Sequence, residues 1–137
     1  ADIAIFAAAV ADWRVANAGD QKIKKTSAGM PPLQLVENPD ILATISKLKQ
    51  NRPPLVIGFA AETQNLIENA TSKLRRKGCD WIVANDVSGD VMGGAENAVI
   101  LITKDKAETW PRMAKQAVAR KLAGEIAKAL TAKTPRK

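Results

Sequence analysis

The chain alternates between short, nearly continuous apolar runs and longer segments in which apolar residues recur with helical spacing. Residues 2–10, "DIAIFAAAV", are typical of a strand buried on both faces of a helix-covered sheet. Residues 54–60 predict a second buried strand, and residues 80–85 predict a third. Two further strands are predicted at residues 33–36 and 97–105.

Helical segments follow these strands in turn. The first is predicted to run to residue 50, with Asn38 as its N-cap and Pro39 at its first helical position. The second covers residues 62–78 and the third residues 111–130, each with one apolar face. This alternation predicts a three-layer α/β/α, Rossmann-like domain with a largely parallel or mixed central sheet.

Polar residues with binding chemistry follow the predicted buried strands. In α/β sheets, ligands bind outside the carboxyl ends of the strands. This rule selects Asp12 after the first run, residues 59–63 after the second, and Asn85 with Asp86 after the third. Residues 20–32, "DQKIKKTSAGMPP", leave from the same edge. We therefore expect ligand chemistry at this edge of the sheet.

Length and composition favour one domain. With 137 residues, 46% of them hydrophobic, the chain can bury an apolar core, and we assign residues 1–130 to that domain and 131–137 to a tail. No apolar run reaches the length of a membrane span, so no membrane association is expected. Cys79 is the single cysteine; it is expected to be a packed small apolar residue and fits a reducing, cytoplasmic compartment. The absence of histidine excludes imidazole as a base or metal ligand.

The charge balance indicates an anionic partner. A net charge of +7 favours nucleic acid, phosphorylated metabolites or an acidic protein surface. Lys22, Lys24 and Lys25 are either a solvated charge run or the cations of a flap that closes over phosphate. A nucleic-acid-binding module would present aromatic platforms among its lysines, and Trp13 is the only aromatic residue close to them. We therefore expect no nucleic acid as partner.

Three motifs admit both a structural and a functional interpretation. "GFAAET" has small residues that would permit either close ligand approach, with Phe59 stacking on a base, or close helix–strand packing. Lys73 and Lys77, four residues apart on a predicted helix, are either solvent-facing or a clamp for a polyphosphate. Asp86 and Asp90 in "ANDVSGD" would either hold a magnesium ion or cap a loop.

The order of the motifs is more specific than any one of them. "AAVADWR" is followed by "KIKK", "ENPDIL", "VIGFAAET", "KLRRKGCDWIVAND" and "NAVILI". In this order and spacing the sequence resembles the phosphopantothenate–cysteine ligase family, the synthetase half of the bifunctional bacterial coenzyme A biosynthesis protein. The resemblance extends over residues 1–130.

The resemblance implies an acid–amino-acid ligase of coenzyme A biosynthesis. Such an enzyme joins 4'-phosphopantothenate to L-cysteine with CTP through an acyl-cytidylate intermediate, with Mg2+ as cofactor and a homodimer as the assembly. FMN is implied only if a decarboxylase domain is present in the full-length protein. Related ligases of other lineages use ATP, and one aspartate does not decide between cytosine and adenine. Nucleotidyl transfer depends on positioning and charge neutralisation, which suits a lysine-rich chain without histidine.

The resemblance also implies a role for each matching position. Lys22 would be the catalytic residue, neutralising triphosphate charge from a flap. Asp12 would read the cytosine or its sugar, Phe59 would pack on the nucleotide, and Lys73 with Lys77 would grip the phosphate tail. The implied CTP-binding positions are Phe6, Ala7, Ala8, Asp12, Lys22, Pro39, Asp40, Ile41, Leu42, Phe59, Lys73 and Lys77. The metal ligands stay unknown.

The beginning of the sequence bears on activity. Members of the family carry a glycine-rich segment, and an asparagine that holds the acyl-phosphate intermediate, before their counterpart of the first strand. The present sequence has no initiator methionine and begins almost directly on that strand. We therefore expect a carboxyl-terminal portion of the ligase, which lacks the pantothenate-binding half of the site if the chain is the complete molecule. The alternative is a non-catalytic nucleotide-binding or dimerisation fragment.

Overall fold

The computed structural model of the chain describes residues 1–7, 10–16, 32–62, 64–86 and 96–133. The chain divides into two units, one formed by residues 1–8 and 42–137 and the other by residues 9–41, and each is described by itself.

The elements are short strands and three helices within the described residues. The strands are β1 (Ile3–Phe6), β2 (Trp13–Val15), β3 (Leu35–Glu37), β4 (Leu55–Glu62), β5 (Trp81–Asp86), β6 (Glu96–Asn97), β7 (Val99–Thr103), β8 (Ala107–Thr109) and β9 (Met113–Ala114). The helices are α1 (Ile41–Ser46), α2 (Leu66–Lys77) and α3 (Lys115–Lys133). None of these helices is long and apolar enough to cross a lipid bilayer.

The larger unit is built on a five-stranded sheet in the order β1-β4-β5-β7-β8. β1, β4 and β5 run parallel, whereas β7 and β8 are antiparallel to their neighbours. The central strands β4 and β5 are buried along most of their length, as their continuous apolar runs predict. The predicted fold class, a mixed and mostly parallel sheet flanked by helices, is confirmed.

The two faces of the sheet carry separate core clusters because successive strand residues point to opposite sides. The α3-side cluster contains Leu55, Ile57, Val83, Val99, Leu101 and Trp110 together with Val118, Leu122 and Ile126 of α3. The α2-side cluster contains Val56, Ala60, Ile82, Ala84 and Ile102 together with Ala70, Leu74 and Cys79. Cys79 is only 7% exposed, which confirms its prediction as a packed apolar residue.

The first strand is shorter and less buried than predicted. Among the described residues of the predicted run 2–10, residues 3–6 form β1, and Ile5 within it is 48% exposed. β1 pairs with β4 at one edge of the described sheet, so the side chain of Ile5 has fewer neighbours than a central strand would provide. The prediction that both faces of this strand are buried was therefore wrong.

In the smaller unit, β2 and β3 form an antiparallel ribbon in which Trp13 lies opposite Glu37. The Asn38 side chain donates from Nδ2 to the carbonyl oxygen of Ala11 at 2.7 Å and accepts from the guanidinium of Arg14 at 3.0 Å. Its amide therefore ties the ribbon together instead of capping a helix, which begins only at Ile41. The N-cap predicted at Asn38, and helical structure from Pro39, were wrong.

Other observed element boundaries also differ from the predicted ones. Glu62, predicted in a helix, ends β4, and α2 begins at Leu66 after Asn65, whose φ is 48°. α2 ends as predicted at Gly78, whose φ of 74° favours glycine and whose N–H donates to the carbonyl of Leu74. α3 begins later than predicted because residues 113–114 pair with β6.

At the amino-terminal ends of β4 and β5, Arg52 and Asp80 form an ion pair of 3.0 Å. The Asp80 carboxylate also accepts from the N–H of Val56, while Arg52 donates to the carbonyl oxygens of Ser46 and Gly78. This network joins the end of α1, the end of α2 and the starts of two core strands. It lies at the sheet edge opposite to the carboxyl ends of those strands.

Candidate functional site

A cation from α2 lies against the carboxyl-terminal half of β4. Lys73 is partly buried, and its Nζ donates to the carbonyl oxygen of Phe59 at 3.0 Å. The pairing of β1 with β4 ends at Phe6 and Gly58, one residue before this carbonyl. The ammonium group thus lies just beyond the end of this pairing but within β4, which continues to Glu62. Ligands of such sheets bind outside the carboxyl ends of the strands.

The ring and the backbone of Phe59 have different environments. The residue is partly buried and packs against the α3-side cluster, which includes Leu55 and Val83. Its carbonyl oxygen, in contrast, accepts the hydrogen bond from Lys73. The ring therefore packs in the core, and part of it remains exposed. Stacking of the ring on a nucleotide base stays a prediction.

Gly58 allows α1 to pack directly on β4. A Cβ atom at this position would lie 2.6 Å from Cδ2 of Leu42 and 3.0 Å from Cδ1 of Ile82. Both distances are shorter than ordinary van der Waals contact between carbon atoms. Of the two interpretations that the sequence leaves open for "GFAAET", close helix–strand packing applies at this glycine.

The connection from β4 to α2 is braced by Asn69. Its Nδ2 donates to the carbonyl oxygen of Gln64 at 2.9 Å and to Oε2 of Glu62 at 3.3 Å. These bonds hold the end of β4 against the first turn of α2. Asn69 is not among the site residues predicted from the sequence, although an amide on the first turn of a helix that follows a buried strand is a signal that could have identified it.

The carboxyl end of β5 adds polar groups beside β4. Asn85 lies opposite Ala61, and Asp86 lies opposite Glu62. Oδ1 of Asn85 is buried and has no hydrogen-bond partner among the described residues. Within the same part of the chain, no group of three or more acidic or cysteine side chains is placed to hold a metal ion. The magnesium site stays a prediction.

The remaining sequence-predicted residues fall into three sets. In the larger unit, Phe6 packs against the α2-side cluster, Ala7 follows β1, and Lys77 lies one helical turn after Lys73. Asp12, Pro39, Asp40 and Ile41 belong to the smaller unit. Ala8, Lys22, Lys24, Lys25, Thr63 and Asp90 lie outside the described residues. The larger unit thus brings Leu42, the carbonyl oxygen of Phe59 and Lys73 close to Gly58, whereas the ring of Phe59 packs on the opposite, α3 side of the sheet.

Cys79, the single cysteine, is not activated. Burial raises the pKa of its thiol, and the neighbouring Asp80 carboxylate adds to this effect, while the positive charges of Lys73 and Arg52 oppose it. The thiol therefore stays protonated at neutral pH. With no histidine in the sequence, the chemistry that these residues offer is charge neutralisation and positioning.

Comparison with known proteins identifies the same family across most of the chain. The profile of the DNA/pantothenate metabolism flavoprotein C-terminal domain matches residues 1–130. The coenzyme A biosynthesis bifunctional protein CoaBC of Haemophilus influenzae is 44% identical over 125 residues, which cover 90% of this chain and 31% of that protein. The chain thus spans about a third of the length of this curated relative.

Solved structures agree with this similarity. The crystal structure of the C-terminal domain of a CoaBC protein superimposes with a TM-score of 0.71 at 35% identity, covering 95% of this chain and 55% of that one. A Cab2 mutant in complex with phosphopantothenate-cysteine superimposes with a TM-score of 0.51 at 16% identity, covering 81% of this chain and 37% of that one, and shows the shared fold alone.

Proposed function

This chain belongs to the DNA/pantothenate metabolism flavoprotein C-terminal domain family, and on that premise we propose that it is the carboxyl-terminal part of a CTP-dependent phosphopantothenate–cysteine ligase. The single observation that carries the proposal is the Lys73 ammonium held at the carboxyl-terminal half of β4. Similarity to CoaBC over 90% of the chain supports it. As in the family, the molecule would act in the cytoplasm as a homodimer.

The proposed reaction has two steps. A carboxylate oxygen of 4'-phosphopantothenate attacks the α-phosphorus of CTP, forming the acyl-cytidylate and releasing pyrophosphate. The amine of L-cysteine then attacks the acyl carbon, the new amide bond forms, CMP leaves, and the amine loses a proton to solvent. Neither step requires a nucleophilic side chain of the protein, so the protein would contribute orientation and positive charge.

Different residues of this chain would supply the positive charge and the orientation. Lys73 and Lys77 would neutralise the negative charge of the triphosphate, and Lys22 would add a third cation. The small residues Ala7 and Ala8 would let the nucleotide approach the backbone, and residues 39–42 would place a helix N-terminus against the phosphates. Asp12 would recognise the cytosine or the ribose.

The implied Mg2+ fits the oxygen donors available at this edge of the sheet. Glu62 and Asp86 are neighbours across β4 and β5, and carboxylates with phosphate oxygens are the ligands that Mg2+ prefers. These two residues would hold the ion, which would supply positive charge beside the triphosphate. FMN would bind to a decarboxylase domain of a longer protein, and we assign no residue of this chain to it.

Nucleotide binding and turnover test the proposal separately. Isothermal calorimetry with CTP and with ATP measures recognition by this chain, and we expect CTP to bind more tightly. Cysteine-dependent release of CMP, assayed with this chain and with a protein extended at its amino terminus, measures catalysis. The proposed ligase function would be contradicted if neither protein bound CTP. It would also be contradicted if the extended protein bound CTP without releasing CMP.

A second candidate is a non-catalytic nucleotide-binding or dimerisation fragment, favoured by the chain's 31% coverage of its Haemophilus influenzae relative. It predicts CTP binding by this chain without CMP release, and turnover only by the extended protein. Turnover by this chain alone would exclude it.

A further inference from the structure

Gly58 in β4 lies between two side chains that differ in their freedom to move. A Cβ atom built there would lie 2.6 Å from Cδ2 of Leu42 and 3.0 Å from Cδ1 of Ile82. Ile82 is fully buried in the α2-side cluster, at 0% exposure, whereas Leu42 is only partly buried at the second residue of α1. A methyl group at position 58 would therefore displace Leu42 rather than Ile82, because a packed interior does not yield.

The side chain that would be displaced belongs to the first turn of α1. Leu42 follows the first residue of that helix and contacts β4 directly over Gly58. The residue after Gly58 is Phe59, whose carbonyl oxygen accepts the hydrogen bond from Lys73. A side chain at position 58 would therefore lie between Leu42 of α1 and the strand segment that anchors the cation.

We propose that Gly58 is a positioning residue for the nucleotide, acting through Leu42 without touching the ligand. This inference rests on the proposed function, in which the backbone around Leu42 and the ammonium of Lys73 contact the same triphosphate. Misplacement of a binding segment by about 1 Å costs up to about a hundredfold in an enzyme's rate. Because Gly58 has no side chain, nothing at this position pushes α1 away from β4 by such a distance.

The test compares four variants of the full chain for CTP affinity by calorimetry, with thermal unfolding as the measure of folding. Gly58→Ala is expected to weaken CTP binding by about tenfold or more. Leu42→Ala alone keeps the backbone at this proposed CTP-binding position, and its measured affinity is the reference for the double variant. The double variant Gly58→Ala/Leu42→Ala is expected to recover that affinity, because the Cδ2 methyl group of Leu42, which would lie 2.6 Å from the new Cβ atom, is gone.

Gly124→Ala is the matched control. A Cβ atom at Gly124 in α3 would meet nothing within 4 Å, so the same substitution there is expected to leave CTP affinity unchanged. Hydrogen exchange of the α1 amides without ligand supplies a second readout. Exchange should be faster in Gly58→Ala and return to the wild-type rate in the double variant.

A wild-type CTP affinity in Gly58→Ala would overturn the inference. So would a loss of CTP affinity in Gly58→Ala that the added Leu42→Ala substitution does not reverse. Unchanged exchange of α1 in Gly58→Ala would overturn it as well. A wild-type chain that does not bind CTP at all would instead remove the proposed function, and the exchange measurements would still decide whether Gly58 positions α1.

Discussion

The ammonium group of Lys73 lies 3.0 Å from the carbonyl oxygen of Phe59, so that a helix-borne cation is anchored to the backbone of a core strand. An ammonium group has three donors, and this contact occupies one of them. The anchor restricts a flexible side chain before any ligand arrives, which lowers the entropic cost of placing its charge. Lys73 is thus preorganised in a way that a fully solvated lysine is not.

Replacement of this lysine is the first prediction. Lys73→Met removes the charge while keeping most of the apolar stem, and we expect CTP affinity to fall by about tenfold or more, since a charge-assisted contact with phosphate contributes about 1.5–3 kcal/mol. Calorimetry measures the affinity, and urea unfolding checks the fold. Lys128→Met is the matched control, because within the described part of the chain Lys128 pairs with Glu125 alone, on the exposed surface of α3. Equal affinities of the two variants would refute the role of Lys73.

The second prediction separates stability from binding. The Asp80 carboxylate accepts from Arg52 at 3.0 Å and from the N–H of Val56 at 2.7 Å, at the amino-terminal ends of the strands. Asp80→Asn should lower the free energy of unfolding by about 1–3 kcal/mol, because an amide weakens both bonds. CTP affinity should stay unchanged, since the nucleotide is expected at the opposite edge. Urea denaturation and calorimetry measure the two quantities.

Asp105→Asn serves as the control for that substitution. Asp105 is exposed in the turn between β7 and β8, so its replacement should change the unfolding free energy by no more than about 0.5 kcal/mol. Should Asp80→Asn behave like Asp105→Asn, the network around Arg52 would have no net stabilising role. Loss of CTP affinity in Asp80→Asn without loss of stability would show that the two edges are coupled.

The sequence predicted the parts of the fold in which local pattern and long-range packing agree. The continuous apolar runs of β4 and β5 predict central strands, and the structure buries them between α2 and α3. Gly78 predicts the end of α2, because its left-handed backbone is a local property of the chain. Local signals of this kind need no knowledge of distant partners.

The sequence could not predict contacts that join residues far apart. Asn38 has a side chain suited to an N-cap, but Ala11 and Arg14, more than 20 residues away, engage it instead. The exposure of Ile5 depends on which strands pair with β1, which no property of the run 2–10 encodes. Lys22, the predicted catalytic residue, lies outside the described residues and stays a prediction.

The last prediction concerns pH and the carboxylate of Glu108. It accepts hydrogen bonds from Nζ of Lys106 at 2.7 Å and from Nε1 of the buried Trp110 at 3.1 Å, and Nζ of Lys121 lies 3.8 Å away. The hydrogen bond from Lys106 lowers the pKa of Glu108, and the same bond raises the pKa of Lys106. Both shifts mean that the charged pair is favoured in the folded state.

The sign of the pH dependence follows from these directions. The folded pKa of Glu108 lies below its unfolded pKa, so its charge stabilises the fold at pH values above the unfolded pKa of about 4.3. That stabilisation is lost as the pH falls through the folded pKa.

Glu108→Gln keeps an acceptor for Trp110 but removes the charge. We expect the variant to be less stable than the wild type at about pH 7, with the difference shrinking towards about pH 3. Urea unfolding across this range measures it, with the exposed Asp105→Asn as control. A stability difference that is constant with pH would show that the charge of Glu108 contributes nothing to folding.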